Sequence, residues 1–275
     1  NAPHGPLNVE PRYVDLYRDS TPHEDRARFY GMISNIDDNF GRLQSHLHEL
    51  GLSDNTILIF MTDNGTATGV ELDSEQYPQE GPGSYNAGMR GKKGSPYEGG
   101  HRVPFLVRFP NGQVAGGRDM PALASYVDFM PTLLELCNAD VPNERSFHGQ
   151  SIAPMLRGQD PPADWSGRVN VCDTQRVAHP VKWRKSSVMK KRWRLINGRE
   201  LYDLDSDPGQ RRDIAAEHPG IVSELRQDYE LWWENISDQF DRDVPIALGG
   251  DDEEVKLTTH DLRNETCNGV WNHRQ

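Results

Sequence analysis

The chain has little cysteine, a shortage of positive charge and no long apolar run. Its three cysteines among 275 residues show no metal-binding spacing, and their odd number forbids a full disulfide set. Thirty basic residues against 42 acidic ones give a formal net charge of −12, so we expect no nucleic-acid partner. Because every apolar run is far shorter than the roughly 18 residues that cross a bilayer, we also expect no membrane span.

The two ends of the sequence lack the marks of a complete chain. The first residue is Asn1 rather than Met, and no basic start, apolar stretch and small-residue cleavage site follow it. The last residues carry no helix-capping pattern. We therefore expect an internal piece of a longer protein.

The first half of the chain alternates between helical and extended patterns. Residues 24–50 carry apolar side chains at spacings of three and four, which predicts an amphipathic helix that ends before Gly51. Residues 57–61 form an apolar run whose composition suits a buried strand, so helix and strand together predict half of a βαβ unit. A second apolar segment covers residues 103–109, and residues 128–136 suit a short helix.

The second half changes character. Short alternating runs between residues 168 and 204, interrupted by Asn197-Gly198, predict a small antiparallel sheet with a tight hairpin. A helix is predicted over about residues 219–236, where it would cover that sheet. Beyond residue 238 the chain is acidic.

The strand end at Asp63-Asn64 has two interpretations. An Asp carboxylate beside an Asn amide offers oxygen ligands to a hard divalent cation, at the sheet edge where ligands bind in open α/β folds. However, Asp-Asn-Gly is also an ordinary turn after a strand, and the tetrapeptide alone favours the turn. Asn64-Gly65-Thr66 matches a glycosylation site as well, which we take as accidental because a glycan would bar Asn64 from a metal.

Three basic side chains are candidates for binding an anion. Lys93 lies in a Gly-rich loop and could hold sulfate or phosphate as a point charge, although an isolated lysine is more often solvated. His4 sits between two prolines that would fix its ring, and His101 could reach a substrate or lie half-exposed on its loop. The glycines of Glu98-Gly99-Gly100 predict a close backbone approach, with Glu98 bracing the loop or pairing with Arg102.

Seven segments in order resemble the sulfatase family of the alkaline phosphatase superfamily. They are APHGP (2–6), DDNFGRL (37–43), LGLSDNT (50–56), TDNG (62–65), GKKGSPYEGGHRVP (91–104), VDFMPTL (127–133) and ELYDLDSDP (200–208). The resemblance implies an α/β fold containing part of a large mixed sheet flanked by helices, then a small antiparallel sheet packed with a C-terminal helix. It implies the C-terminal portion of a catalytic domain at residues 1–162, a small β subdomain with its helix at 163–240, and an acidic tail at 241–275 that begins a truncated further segment.

The resemblance also assigns roles and reverses the preference for a turn at the strand end. It implies that Asp63 and Asn64 form half of a calcium site, that Lys93 rather than Lys92 binds the sulfate group, and that His4 contacts the sulfate ester and assists the leaving group. Members of the family convert a Cys or Ser in Cys/Ser-x-Pro-x-Arg to formylglycine as nucleophile. This motif is absent from the 275 residues. We therefore expect formylglycine in a parent protein and no turnover by this chain alone.

The function implied is hydrolysis of a sulfate monoester, with a small-molecule or glycan sulfate ester as partner. Two alternatives stay open: a phosphoesterase or phosphonate hydrolase of the same superfamily, and a non-catalytic homologue that keeps the anion site. By family resemblance we expect a periplasmic or secreted protein.

Overall fold

The chain has a mixed α/β fold followed by a small antiparallel sheet and a C-terminal helix. The computed structural model describes residues 2–66, 86–114, 116–140, 146–175, 177, 179–240, 247–248 and 257–258. Its helices are α1 (Pro11–Asp15), α2 (Glu24–Glu49), α3 (Glu98–His101), α4 (Phe129–Leu136), α5 (Ala153–Leu156) and α6 (Pro219–Ser237). Its strands are β1 (Leu58–Met61), β2 (Phe105–Arg108), β3 (Val169–Asp173), β4 (Ser186–Lys190), β5 (Trp193–Ile196), β6 (Glu200–Asp203), β7 (Ala247–Leu248) and β8 (Leu257–Thr258).

Helix α2 confirms the predicted periodicity and its predicted end. Phe29 and Met32 are buried on its inner face, and Gly51 adopts a φ of +68°, the left-handed conformation typical of a residue just past a helix. However, Leu43 and Leu50 on the same stripe are 46% and 57% exposed. The apolar stripe therefore packs along its N-terminal part and at Phe40, whose ring centre lies 5.5 Å from that of Phe60 on β1, but it is exposed at Leu43 and Leu50.

The prediction of a buried strand over residues 57–61 was wrong. Residues 58–60 of β1 are half-buried and Met61 is exposed, because β1 pairs with β2 as a two-stranded antiparallel ladder rather than lying inside a covered parallel sheet. Leu106 on β2 is 63% exposed as well. Among the described residues, the predicted half of a βαβ unit is thus a helix followed by an antiparallel pair.

A second layer lies beneath β2, where α4 and α5 pack around two small cores. Ile152 and Ala153 are completely buried there. The carboxylate of Asp128, also completely buried, accepts hydrogen bonds from the backbone N–H groups of Ser125 and Gln150, and Arg168 Nη2 lies 2.5 Å from it. These contacts join the start of β3 to the α4 layer.

The small sheet is a four-stranded meander in the order β3-β4-β5-β6, and all its pairs are antiparallel. Asn197 and Gly198 both have positive φ, 50° and 66°, in the turn between β5 and β6, so the predicted hairpin is confirmed. Helix α6 covers one face of the sheet, where Leu225 and Tyr229 pack on Val188 and Leu195. Residues 67–85 and most of the acidic tail lie outside the described residues, and the boundary at 162 stays a prediction.

Candidate functional site

Two backbone hydrogen bonds join the end of strand β1 to the lysine loop. The Gly65 N–H donates to the carbonyl of Gly100 at 3.0 Å, and the Lys93 N–H donates to the carbonyl of Thr66 at 2.9 Å. The segment after Asp63-Asn64 therefore runs alongside residues 93–100. Residues that lie about thirty positions apart in the sequence thus form one hydrogen-bonded unit, which we call the lysine loop unit (residues 63–66 and 90–101).

Glycines allow this unit to pack backbone against backbone. A Cβ atom added to Gly65 would lie 1.8 Å from the carbonyl oxygen of Gly99, and one added to Gly99 would lie 2.4 Å from the carbonyl oxygen of Gly91. A Cβ on Gly100 would lie 2.2 Å from the carbonyl oxygen of Ser95. A side chain at Gly65 would push the two segments apart, and one at Gly99 or Gly100 would open the lysine loop itself, which confirms the predicted close approach.

The two candidate metal ligands lie at the exposed rim of the unit. The Asp63 side chain is exposed and Asn64 is half-buried, with the Thr62 hydroxyl donating to the Asn64 carbonyl at 3.2 Å. A carboxylate and an amide oxygen suit a hard cation such as calcium, which takes 6–8 oxygen ligands. Within the described ranges, no group of three or more His, Cys, Asp or Glu side chains is placed to hold a metal. Asp63 and Asn64 fit calcium as part of a ligand set.

The other candidates occupy different positions relative to this unit. Lys93 is half-buried within it. The exposed ring of His4 has its Nδ1 atom 2.9 Å from the carbonyl oxygen of its neighbour Gly5, so its hydrogen bond is local. Among the described residues, Lys93 and His101 are thus hydrogen-bonded within the unit, whereas His4 bonds to its own neighbour Gly5.

His101 faces inward from the last position of α3. Its Nε2 atom lies 3.2 Å from the carbonyl oxygen of Pro96. Burial lowers the pKa of the ring, Glu98 raises it, and Arg194 lowers it further, with a net downward shift. A neutral ring donating Nε2–H to Pro96 fits this geometry, so His101 is held as part of the turn.

Glu98 is the main anchor of the unit, and its principal partner was not predicted from the sequence. Its side chain is only 2% exposed, and Arg194 Nε on β5 lies 2.7 Å from its Oε1 atom. The predicted partner Arg102 contributes a longer ion pair of 3.6 Å from a largely exposed position. The Glu98 N–H donates to Oε1 of the buried Gln210 at 2.8 Å. Partners 96 and 112 positions away leave no local signal in the sequence.

A second set of contacts holds the loop just before Glu98. The Arg90 guanidinium lies 3.9 Å from the centre of the Tyr97 ring and donates to the Tyr202 hydroxyl at 2.8 Å. Both tyrosine hydroxyls donate to Oε2 of Glu200, at 2.9 and 2.5 Å. Burial, together with these bonds to Glu200, raises the pKa of Tyr97 and of Tyr202, so both phenols stay protonated donors at neutral pH.

The chain belongs to the sulfatase family. The family's sequence profile matches residues 1–139, half of the chain, and the profile of the C-terminal part of N-sulphoglucosamine sulphohydrolase matches residues 92–231. The resemblance inferred from the seven motifs is therefore confirmed.

Relatives and solved structures agree with this membership. Mouse steryl-sulfatase is 29% identical over 214 residues, which are 67% of this chain and 33% of that protein. An N-acetylgalactosamine-6-O-sulfatase of Bacteroides thetaiotaomicron is 28% identical over 238 residues, or 78% of this chain and 44% of that protein. One solved structure is 25% identical to this chain and superposes on it with a TM-score of 0.64. Its description refers to the metabolism of multiple glycosaminoglycans by Bacteroides thetaiotaomicron, and the match covers 83% of this chain and 48% of that one.

The chain thus spans between a third and a half of the length of the curated relatives described above. None of the described helices is both long and apolar enough to cross a membrane.

Proposed function

We propose that this chain supplies the sulfate-binding and part of the calcium-binding machinery of an enzyme that hydrolyses sulfate monoesters. The observation that carries the proposal is the pair of backbone bonds that unites the Asp63-Asn64 strand end with the Lys93 loop. Oxygen ligands for a cation and a lysine for an anion then belong to one rigid unit. Small-molecule and glycan sulfate esters are the substrate class, in keeping with the relatives' names.

Each candidate residue has a distinct task in this proposal. Asp63 and Asn64 contribute oxygen ligands to calcium, which when bound offsets the negative charge on the sulfuryl oxygens as the S–O bond breaks. The ammonium group of Lys93 acts as a point charge toward the same oxygens. His4 contacts the ester oxygen and gives a proton to the departing alcohol. His101, whose ring is held against the Pro96 carbonyl of the same loop, is the remaining candidate for contact with the substrate.

The nucleophile is the part that this chain does not supply. The family's Cys/Ser-x-Pro-x-Arg motif does not occur within residues 1–275. We therefore expect the 275-residue chain to bind calcium and sulfate without hydrolysing an ester. A second candidate function is that of a non-catalytic sulfatase homologue that binds an anion. Phosphoester or phosphonate hydrolysis is a third candidate function, and the binding experiment below distinguishes it from sulfate ester hydrolysis.

The binding experiment uses isothermal titration calorimetry on the purified chain. Calcium chloride is titrated first, and then sodium sulfate or sodium phosphate in the presence of calcium, at constant ionic strength. Lys93→Met is expected to abolish sulfate binding, while Lys92→Met, which removes the neighbouring charge, keeps most of it. Asp63→Asn is expected to weaken calcium binding, whereas Asp119→Asn, at another exposed aspartate, leaves it unchanged.

The outcomes separate the sulfatase function from the phosphoesterase function. Lys93-dependent binding of sulfate in preference to phosphate supports the proposal, and a preference for phosphate supports the phosphoesterase alternative. Failure to bind either anion, or equal effects of the two lysine substitutions, would overturn the assignment of Lys93. Release of nitrophenol from 4-nitrophenyl sulfate by the purified chain with calcium would overturn the expectation of inactivity.

A further inference from the structure

We propose that Arg194, on strand β5 of the small sheet, is a positioning residue for the sulfate-binding loop. The small sheet would then be part of the sulfate site rather than an appendage to it. This inference deepens the proposed function and rests on it, because it concerns the affinity of the Lys93 loop for sulfate. It adds a long-range partner that none of the seven family-like motifs contains.

The first step is the buried ion pair between Arg194 and Glu98. The two side chains are 8% and 2% exposed, and the Nε–Oε1 distance is 2.7 Å. Arg102 also faces Glu98, at 3.6 Å, but its side chain is 62% exposed, so solvent screens its charge. Without Arg194, the Glu98 carboxylate would remain buried with one distant, screened partner, which is a costly arrangement. The loop would move to bring Glu98 toward water.

The second step leads from Glu98 to the candidate site. Glu98 begins α3, and Gly99 and Gly100 follow it directly. Gly100 accepts the Gly65 N–H, and the Gly99 N–H donates to the Arg90 carbonyl at 2.8 Å. Since Gly65 is packed without space for a methyl group, a shift of the turn by a fraction of an ångström displaces the strand end. The metal ligands and the lysine therefore move together when Glu98 moves.

The third step is that the small sheet holds the loop on both sides of Lys93. On one side, Arg90 donates to Tyr202 on β6, and on the other the Glu98 pair leads to β5. In between, the Thr174 hydroxyl donates to the carbonyl of Gly94 at 3.2 Å. Strands β5 and β6, together with the residue that follows β3, thus hold positions 98, 90 and 94, and Lys93 lies within that span.

The test compares substitutions in two ion pairs of similar burial. Arg194→Met removes the proposed positioning contact. Arg168→Met removes the partner of Asp128, whose other contacts lie around residues 125–150, and serves as the matched control. Both changes leave a buried carboxylate without its arginine, so both are expected to lower the melting temperature. Arg194→Lys keeps the charge with fewer hydrogen bonds, and Glu98→Gln keeps the shape without the charge.

The decisive measurement is the dissociation constant for inorganic sulfate, with calcium present, at a temperature where every variant is folded. Arg194→Met is expected to raise it by about 10- to 100-fold, the usual effect of losing an outer positioning contact. Glu98→Gln is expected to raise it as well, Arg194→Lys to recover part of the affinity, and Arg168→Met to leave it at the wild-type value. Equal sulfate affinities in the Arg194→Met and Arg168→Met chains would overturn the inference.

Amide hydrogen exchange gives a second readout that does not depend on sulfate. The N–H groups of Gly65, Lys93 and Gly99 are expected to lose protection in Arg194→Met and to keep it in Arg168→Met. Unchanged protection in Arg194→Met would refute the positioning role even if sulfate binding falls. If the wild-type chain binds no sulfate, the proposed function fails, while the exchange data still decide whether Arg194 holds the loop.

Discussion

Replacing Gly65 by alanine is the most direct perturbation of the contact between the strand end and the loop. The added methyl group would lie 1.8 Å from the Gly99 carbonyl oxygen and 2.8 Å from its carbonyl carbon, whereas ordinary contact begins at 3.4 Å. Both atoms belong to the backbone, so no side chain can rotate away. The two segments must separate, and the Gly65 N–H to Gly100 carbonyl bond is lost with them.

The magnitude follows from the two losses together. Overpacking in a tight interior costs about 1–3 kcal/mol, and the lost hydrogen bond about 1 kcal/mol, so we expect a decrease of about 3 kcal/mol in the free energy of unfolding. In a chain of this size that corresponds to a melting temperature lowered by about 6 °C. Because Lys93 and Asn64 lie on opposite sides of the broken contact, sulfate affinity is expected to fall as well.

Gly41 provides the matched control, measured by urea and thermal denaturation alongside Gly65→Ala. It lies in helix α2, and an added Cβ meets nothing within 4 Å. Gly41→Ala is therefore expected to raise stability by about 0.5–1 kcal/mol, because alanine is the better helix former. A Gly65→Ala chain that melts like the wild type, or that binds sulfate equally well, would refute the reasoning about this contact.

Two further predictions concern titratable groups. Burial keeps the pKa of His101 below its ordinary value of 6.5, so the unfolded chain binds a proton more readily than the folded chain does. The neutral His101 ring therefore makes its full contribution to stability above pH 6.5, and this contribution declines as the pH falls below 6.5. Urea unfolding of His101→Gln is expected to show a weaker loss of stability between neutral and acidic pH, and a slope equal to the wild type's would contradict this. Burial first, and then nearby carboxylates, raises the pKa of the Cys172 thiol to about 11, whereas Cys137 is exposed. In a Cys267→Ser chain at pH 8, a thiol reagent should modify Cys137 rapidly and the half-buried Cys172 much more slowly until the chain unfolds; rapid labelling of both would be the contrary result.

Local signals in the sequence predicted the regular elements well. The spacing of apolar residues located α2, and Asn197-Gly198 located the hairpin, because both depend on interactions between residues a few positions apart. The burial of β1 was predicted wrongly. An apolar run reports the preference of its own side chains, but it does not report which layer covers them, and Met61 is exposed.

The candidate site was predictable only in part. The close approach at Gly99 and Gly100 was predicted because a residue without a side chain lets two backbone segments meet, whereas the role of Lys93 stays a prediction. The Glu98–Arg194 pair was missed because its members lie 96 positions apart, and Arg194 sits in an ordinary alternating strand pattern. A buried carboxylate requires a buried cation, but the sequence contains 30 basic residues and does not indicate which one approaches.

The long separation between Glu98 and Arg194 has a consequence for folding kinetics. Contacts that close a loop of about a hundred residues form late, because the chain must lose much conformational entropy before the contact stabilises it. Strand β1 and the lysine loop can collapse early, but they reach their final geometry only after the β3–β6 sheet has formed. During synthesis from the N-terminus, the lysine loop reaches its native shape only after β5, β6 and Gln210 have left the ribosome. Sulfate affinity in a series of chain lengths would therefore rise as a late step rather than gradually.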